Sequence, residues 1–348
     1  MKKLPLTNAS YRYLVTSFQE WLAVQGYAPS TVYTLPNHIR EQLHYLETCG
    51  IHQIKSLDQK HITAFYHHLK QRSHTLRGGG LSNGHLNKHI QALRRFTEYL
   101  RKVGRMILPD IQLANEETEQ TPLYLTEAEI TLLFKATYLP ITPKMRINVR
   151  QQEALQSSDR AMLAIFYGCG LRRSEGVALD VSDINFDRYL LQVRKGKNYK
   201  ARFVPISKMS LKHLQEYIYD HKDQLARSST LDALFLSQRG LRMQGQSLYL
   251  RLKQLQYHTE DIDLQQKEIG LHTLRHSIAT HLLTAGMPLE SISRFLGHES
   301  LVSTQLYTHL RQTSDEQSHP IESKTDHQPY ANLPGYEPIQ LSEDERGI

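Results

Sequence analysis

The sequence predicts a mainly α-helical protein with a small β-hairpin or sheet, built as a helical first domain followed by a mixed α/β second domain. Three observations carry this prediction. Four stretches of the first third repeat apolar residues at spacings of three and four, as Leu86, Ile90, Leu93, Phe96 and Leu100 do. A short acidic segment without apolar period, ANEETEQT, then interrupts the pattern between Leu113 and Pro122. Only two neighbouring runs, Tyr189 to Val193 and Ala201 to Ile206, are β-rich, and Gly196-Lys197-Asn198 separates them as a turn.

Composition narrows the class. A chain of 348 residues is long enough for two domains. Two cysteines, Cys49 and Cys169, supply neither a disulfide framework nor a cysteine-based zinc site. The N-terminus lacks an apolar stretch, and the run Ala161 to Leu171 is far too short to span a membrane. These features predict a soluble, cytoplasmic protein with no membrane partner. The net charge is +7, but eight acids stand against Lys324 and Arg346 after Gln312, so the tail carries −6 and residues 1–312 carry +13. A body with that excess favours a polyanionic partner.

Taken in order, helices are predicted over Tyr11 to Gln25, Pro29 to Cys49, Asp58 to Lys70 and Ser82 to Lys102, with breaks at Gly26, Gly50 and Gly78-Gly79-Gly80. Basic residues, among them Lys88, Arg94, Arg95 and Arg101, fill the face of the fourth helix opposite its apolar stripe. Thr126 and Glu129 form a capping box that opens a helix. Leu139 to Ser157, with two prolines and three basic residues, reads as an inserted loop. A helix from Asp159 to Tyr167 stops at Gly168-Cys169-Gly170, and another runs from Arg172 to Leu179. After the hairpin come helices over Ser207 to His221, Ser247 to His258, Thr273 to Ala285, Pro288 to Leu296 and a short last one bearing Tyr307. The predicted domains are residues 1–112, a linker 113–122, a second domain 123–312, and an acidic tail 313–348 whose composition predicts disorder.

Four segments concentrate groups suited to a phosphodiester. They are Gly170-Leu171-Arg172-Arg173-Ser174-Glu175, Gly196 to Arg202, His272-Thr273-Leu274-Arg275-His276, and Leu296-Gly297-His298 followed by Tyr307. Singly each is ordinary: an arginine at a helix start is commonly a surface charge, and a lysine in a hairpin turn commonly a solubilising one. Their joint order is not. The five patterns Gly-Leu-Arg-x-Ser-Glu, Gly-Lys-x-x-Lys-x-Arg-x-Val-Pro, Leu-Arg-His-Ser-x-Ala-Thr-His, Leu-Gly-His and Thr-Gln-x-Tyr-Thr-His resemble the tyrosine recombinases, the last three especially the Xer-type and the phage or transposon integrases. The resemblance spans about residues 124–310, and the helical first third resembles more loosely that family's SAM-like core-binding domain.

The resemblance implies a tyrosine-recombinase catalytic domain that cleaves and rejoins DNA strands through a 3′-phosphotyrosyl intermediate. It assigns Arg172 and Arg275 to the non-bridging oxygens of the scissile phosphate, and Lys197, with Lys195 as the alternative, to protonation of the leaving 5′ oxygen. His272 would assist proton transfer from the nucleophile, His298 would hydrogen-bond the phosphate, Tyr307 would attack, and Glu175 would support the site. Lys88, Arg94, Arg95, Lys200 and Arg202 are the expected DNA contacts. The chemistry is intelligible on its own: a phenol with a pKa near ~10 needs a positive field and a base to attack. The residue set requires no cofactor, nucleotide or metal; His272 and His276 are four apart as in zinc hydrolases, but Thr273 replaces the glutamate of that motif and Arg275 brings a cation. The implied partners are double-stranded DNA with an inverted-repeat core site, a homo-tetramer across two such sites, and optionally an accessory protein, in integration, excision, inversion or resolution of a mobile element. A type IB topoisomerase or a catalytically silent DNA-binding relative would be the alternatives.

Overall fold

The computed structural model describes residues 4–72, 80–104, 111–117, 122–140, 148–194, 201–226 and 232–298. The chain divides into two compact units, Met1–Gln120 and Thr121–Ile348. Each encloses its own apolar core. No helix among the described residues is long and apolar enough to cross a membrane.

The first unit contains the helices α1 (Ala9–Val24), α2 (Pro29–Thr48), α3 (Gln59–Gln71) and α4 (Asn83–Lys102). Their starts follow the local chemistry: Asn8, Asp58 and Ser82 each accept from a backbone N–H of the first turn, and Pro29 opens α2 where no intrahelical donor is needed. The apolar stripes meet in a core where Phe18 packs edge-on to Phe96 at 5.2 Å between ring centroids. Part of the expected linker belongs to this unit. Arg94 Nη2 donates to the Leu113 carbonyl at 2.6 Å, and Lys70 Nζ reaches Glu116 at 2.5 Å, so residues 113–117 are tied down onto α3 and α4.

In the second unit α5 (Glu127–Ala136) starts with the predicted capping box, the Thr126 N–H donating to Glu129 Oε2 at 2.8 Å and the Glu129 N–H to Thr126 Oγ1 at 3.2 Å. The loop expected over residues 139–157 is corrected in its second half. Asn148 caps a helix, α6 (Val149–Leu163), through its Oδ1 to the Gln151 N–H at 2.8 Å, so the helix expected from Asp159 begins ten residues earlier. Polar and small residues obscure its periodicity: the buried face includes Ala154, Leu155, Ser157, Ser158 and Asp159. Residues 141–147 lie outside the described residues.

α6 widens into a π-helical turn, Ala164–Gly168, before α7 (Arg173–Ala178). A three-stranded antiparallel sheet follows in the order β1 (Ile184–Asn185), β2 (Leu190–Val193), β3 (Arg202–Pro205). The predicted hairpin is β2–β3, paired Leu191 to Val204. β1 was not predicted, because two residues are too few to show an alternating pattern. Then come α8 (Lys208–Gln215), α9 (Gly245–His258), an unpredicted short α10 (Ile262–Gln266), α11 (Leu271–Thr284) and α12 (Leu289–Leu296). Buried Asp159 of α6 accepts from Arg251 Nε of α9 at 2.9 Å, which locks these two helices across the core. The Gly78-Gly79-Gly80 loop apart from Gly80, the expected final helix with Tyr307 and the acidic tail lie outside the described residues.

Because the Asn148 side chain caps the start of α6, Asn148→Ala should cost about 1 kcal/mol of stability, read as a lowered urea midpoint at unchanged m-value.

Candidate active site

One carboxylate organises a charged cluster in the second unit. Glu175, in the first turn of α7, is almost fully buried, with 7% of its side chain exposed. Its oxygens accept both terminal nitrogens of Arg202, each at 3.0 Å, and Arg172 Nη1 at 2.9 Å; the Arg172 N–H donates to the same carboxylate at 2.8 Å. Arg275 Nη1 stands 4.0 Å away. Burial alone would raise the Glu175 pKa, but hydrogen bonds and charge from Arg202 and Arg172 outweigh it and hold the carboxyl below its ordinary value.

The three arginines come from separate elements. Arg172 sits at the N-cap of α7, Arg202 starts β3, and Arg275 lies in α11. They converge on the corner after α12. Arg275 Nη2 donates to the Leu296 carbonyl at 2.9 Å and its Nη1 to the Gly170 carbonyl at 2.7 Å, while Arg172 Nη2 donates to the Gly297 carbonyl at 2.9 Å. Arg202 Nε donates to the Phe295 carbonyl at 3.2 Å.

Two glycines make that corner possible. Gly297 is left-handed at φ +67, and the His298 N–H returns to the Ser293 carbonyl at 3.0 Å, a Schellman closure of α12. A Cβ on Gly297 would come within 2.8 Å of Arg202 Cδ, and one on Gly170, at φ +60, within 2.9 Å of Leu296. The Gly-Leu-Arg and Leu-Gly-His patterns are thus two halves of one contact.

His298 follows the corner directly and is half-buried; burial, then Arg275 and Arg172, lower its pKa to about 4. His272, in the first turn of α11, keeps its ring open to solvent, and desolvation followed by Arg275, Arg173 and Arg172 lowers its pKa. His276, one turn on, is lowered to about 4 by burial and by His272. Each of these shifts favours the neutral imidazole over the imidazolium.

Of the residues singled out in the sequence, the structure brings together Arg172, Glu175, Arg275 and His298 on this corner, with His272 close enough to share the field of the arginines. Arg202, expected as a DNA contact, is turned inward with 11% of its side chain exposed. The signal for this was present in the period of two: Arg202 shares a face of β3 with buried Val204, while Phe203 points out. Lys88, Arg94 and Arg95 belong to the first unit, on α4, where they and Arg101 border a groove of about 750 Å³. Lys195, Lys197, Lys200 and Tyr307 lie outside the described residues.

Removing a buried carboxylate that holds two arginines leaves their charge uncompensated. Glu175→Ala should lower stability by about 3–5 kcal/mol at neutral pH. Since the folded pKa is depressed, the wild-type advantage is present above the ordinary glutamate value of about 4.3 and fades as pH falls through the lower folded value. Urea denaturation of both proteins at pH 7 and at successively lower pH checks the magnitude and the narrowing.

Residues 141–314 match the profile described as the phage integrase family, and residues 15–104 match the phage integrase N-terminal SAM-like domain. The tyrosine recombinase XerD of Pseudomonas putida is 33% identical over 234 residues, 67% of this chain and 73% of that protein. The tyrosine recombinase XerC of Roseiflexus castenholzii is 40% identical over 163 residues, 46% of this chain and 50% of that protein. Among solved structures, the XerH site-specific recombinase bound to its difH substrate is similar in fold at 17% identity and a TM-score of 0.64, covering 91% of this chain and 99% of that one. The Tn1549 transposon integrase in complex with a circular intermediate DNA gives a TM-score of 0.63 at 18% identity, covering 88% and 99%. Both family profiles in this order, and a relative above 30% identity matched over most of its length, show that the chain belongs to the phage integrase family of tyrosine recombinases.

Proposed function

We propose that this site-specific tyrosine recombinase binds the scissile phosphate on the corner formed by Arg172, Arg275 and His298, and attacks it with Tyr307. The observation that supports this most is the Glu175 clamp, which holds Arg172 in place while Arg275 is fixed by the Gly170 and Leu296 carbonyls. Two pre-positioned guanidiniums match the charge that spreads over the equatorial oxygens in the transition state. Arg202 acts through Glu175 as a positioning residue.

The Tyr307 oxygen forms a bond to phosphorus as the bond to the 5′ oxygen breaks. The phenolic proton passes to neutral His272, and Lys197, or Lys195 in its place, gives a proton to the departing 5′ oxygen. Attack by a 5′-hydroxyl of the other duplex reverses these transfers and releases the tyrosine. The phosphotyrosyl bond conserves the energy of the one it replaces, so rejoining needs no nucleotide.

Exchange between two duplexes breaks four strands, which calls for four copies of Tyr307 and hence a homo-tetramer on two sites. An accessory protein would add to these four sites and replace none of them. The basic face of α4 supplies phosphate contacts in the first unit, with Lys88 exposed on it. The residue set completes a recombinase rather than a silent DNA-binding relative, and exchange of strands rather than relaxation of a circle separates it from a topoisomerase.

With a nicked suicide substrate, Tyr307→Phe should bind DNA but form no denaturant-resistant adduct; an adduct of wild-type yield in that variant would overturn the nucleophile. Arg172→Lys keeps the charge but loses the fork, so cleavage should fall by a factor on the order of 100 or more while DNA affinity changes little, measured by single-turnover cleavage beside gel shift. Lys88→Ala should weaken binding to all duplexes alike and flatten the dependence of log K on log salt by about one unit, read from gel shifts at several salt concentrations.

A further inference from the structure

The interior of the first unit holds a histidine cluster that recombination chemistry does not use. His85 and His89 are four apart on α4 and share a face, and His38 reaches them from α2. The ring centroids of His38 and His89 are 4.2 Å apart, those of His85 and His89 5.3 Å, and those of His38 and His85 5.4 Å. One ring nitrogen from each lies within 4.8 Å of the other two.

The cluster is enclosed but under-satisfied. His89 is 1% exposed and His38 7%, while His85 is half-buried. Among the described residues, His38 Nδ1 and both ring nitrogens of His89 are buried without a hydrogen-bond partner. Buried polar atoms in native proteins nearly always have a partner, so three bare nitrogens on two touching rings call for a bound group. Imidazole nitrogens offer lone pairs to a cation.

A carboxylate stands behind them. Glu41 Oε2 is 3.7 Å from His89 Nε2, close enough to orient that ring, while Glu41 Oε1 is held by Arg72 Nη2 at 2.6 Å. A carboxylate behind a histidine is the usual outer support of a metal-bound imidazole, and here it also offsets the Arg72 charge.

We propose that His38, His85 and His89 form a binding site for a divalent transition-metal ion of the zinc type, which staples α2 to α4. Three imidazoles suit Zn²⁺, Co²⁺ or Ni²⁺ and leave a fourth position for water. Bonds of about 2.1 Å in tetrahedral geometry put the nitrogens about 3.4 Å apart, so from separations of at most 4.8 Å the rings need to close by no more than about 1.4 Å, within reach of side-chain rotation. The ion would fix the first half of α4, and with it the position of Lys88. It takes no part in the strand-cleaving step, so the proposal stands independently of the role of Tyr307.

The test is titration of the metal-stripped full-length protein with Co²⁺, whose visible absorption reports a low-coordinate histidine site, followed by displacement with Zn²⁺. The expected result is one equivalent bound per chain and a Zn²⁺-dependent rise in melting temperature, both lost in His85→Gln and His89→Gln and both kept in His272→Gln. His85→Gln is the deciding variant, because its half-exposed ring can be replaced without opening the core; far-ultraviolet circular dichroism verifies its fold. No uptake at micromolar Co²⁺, uptake that persists in His85→Gln, or uptake lost in His272→Gln instead would each overturn the proposal.

Discussion

The second unit is arranged around the carboxylate of Glu175. A nearly buried glutamate ion is costly unless paired, and here it is paired several times over, with Arg202 as a two-point fork and Arg172 through side chain and backbone. The converse holds for the arginines. Two guanidiniums within reach of one another repel, and the carboxylate between them is what makes their proximity tolerable. A cluster that gathers this much positive charge therefore carries a fixed negative charge within it.

The glycine corner completes the constraint. α12 has to end so that the carbonyls of Phe295, Leu296 and Gly297 face Arg202, Arg275 and Arg172, and the left-handed turn at Gly297 does this while placing His298 next in the chain. The π-helical turn at Ala164–Gly168 delivers Gly170 to the same contact from the other side. Segments more than a hundred residues apart in sequence are joined by backbone carbonyls and arginine forks rather than by a common helix, which explains why each motif alone looks ordinary.

How much was legible follows from where the information lies. Local signals gave the helices of the first unit and the capping box at Thr126, because apolar period and cap chemistry act within a few residues. The start of α6 at Asn148 was missed because its buried face is largely small and polar, and β1 because it is two residues long. In the site, the order of motifs pointed to Arg172, Glu175, His272, Arg275 and His298 as candidates, and the family match agrees with the recombinase reading. The inward turn of Arg202 was missed, though its alternation with Val204 carried the hint. The histidine cluster of the first unit was half legible: the spacing of His85 and His89 is written in α4, but His38 joins them only through the packing of α2 on α4. Tertiary contacts of that kind have no local signature.

The account stands or falls on whether Glu175 sets the geometry of the arginines for the reaction rather than only stabilising the fold. Glu175→Gln retains shape and hydrogen-bonding capacity but removes the charge. Single-turnover cleavage of a nicked suicide substrate at saturating enzyme, measured beside DNA affinity at one salt concentration, separates the two roles. Misplaced arginines predict a cleavage rate reduced on the order of 100-fold with affinity nearly unchanged. A folded Glu175→Gln protein that cleaves at the wild-type rate would contradict the claim.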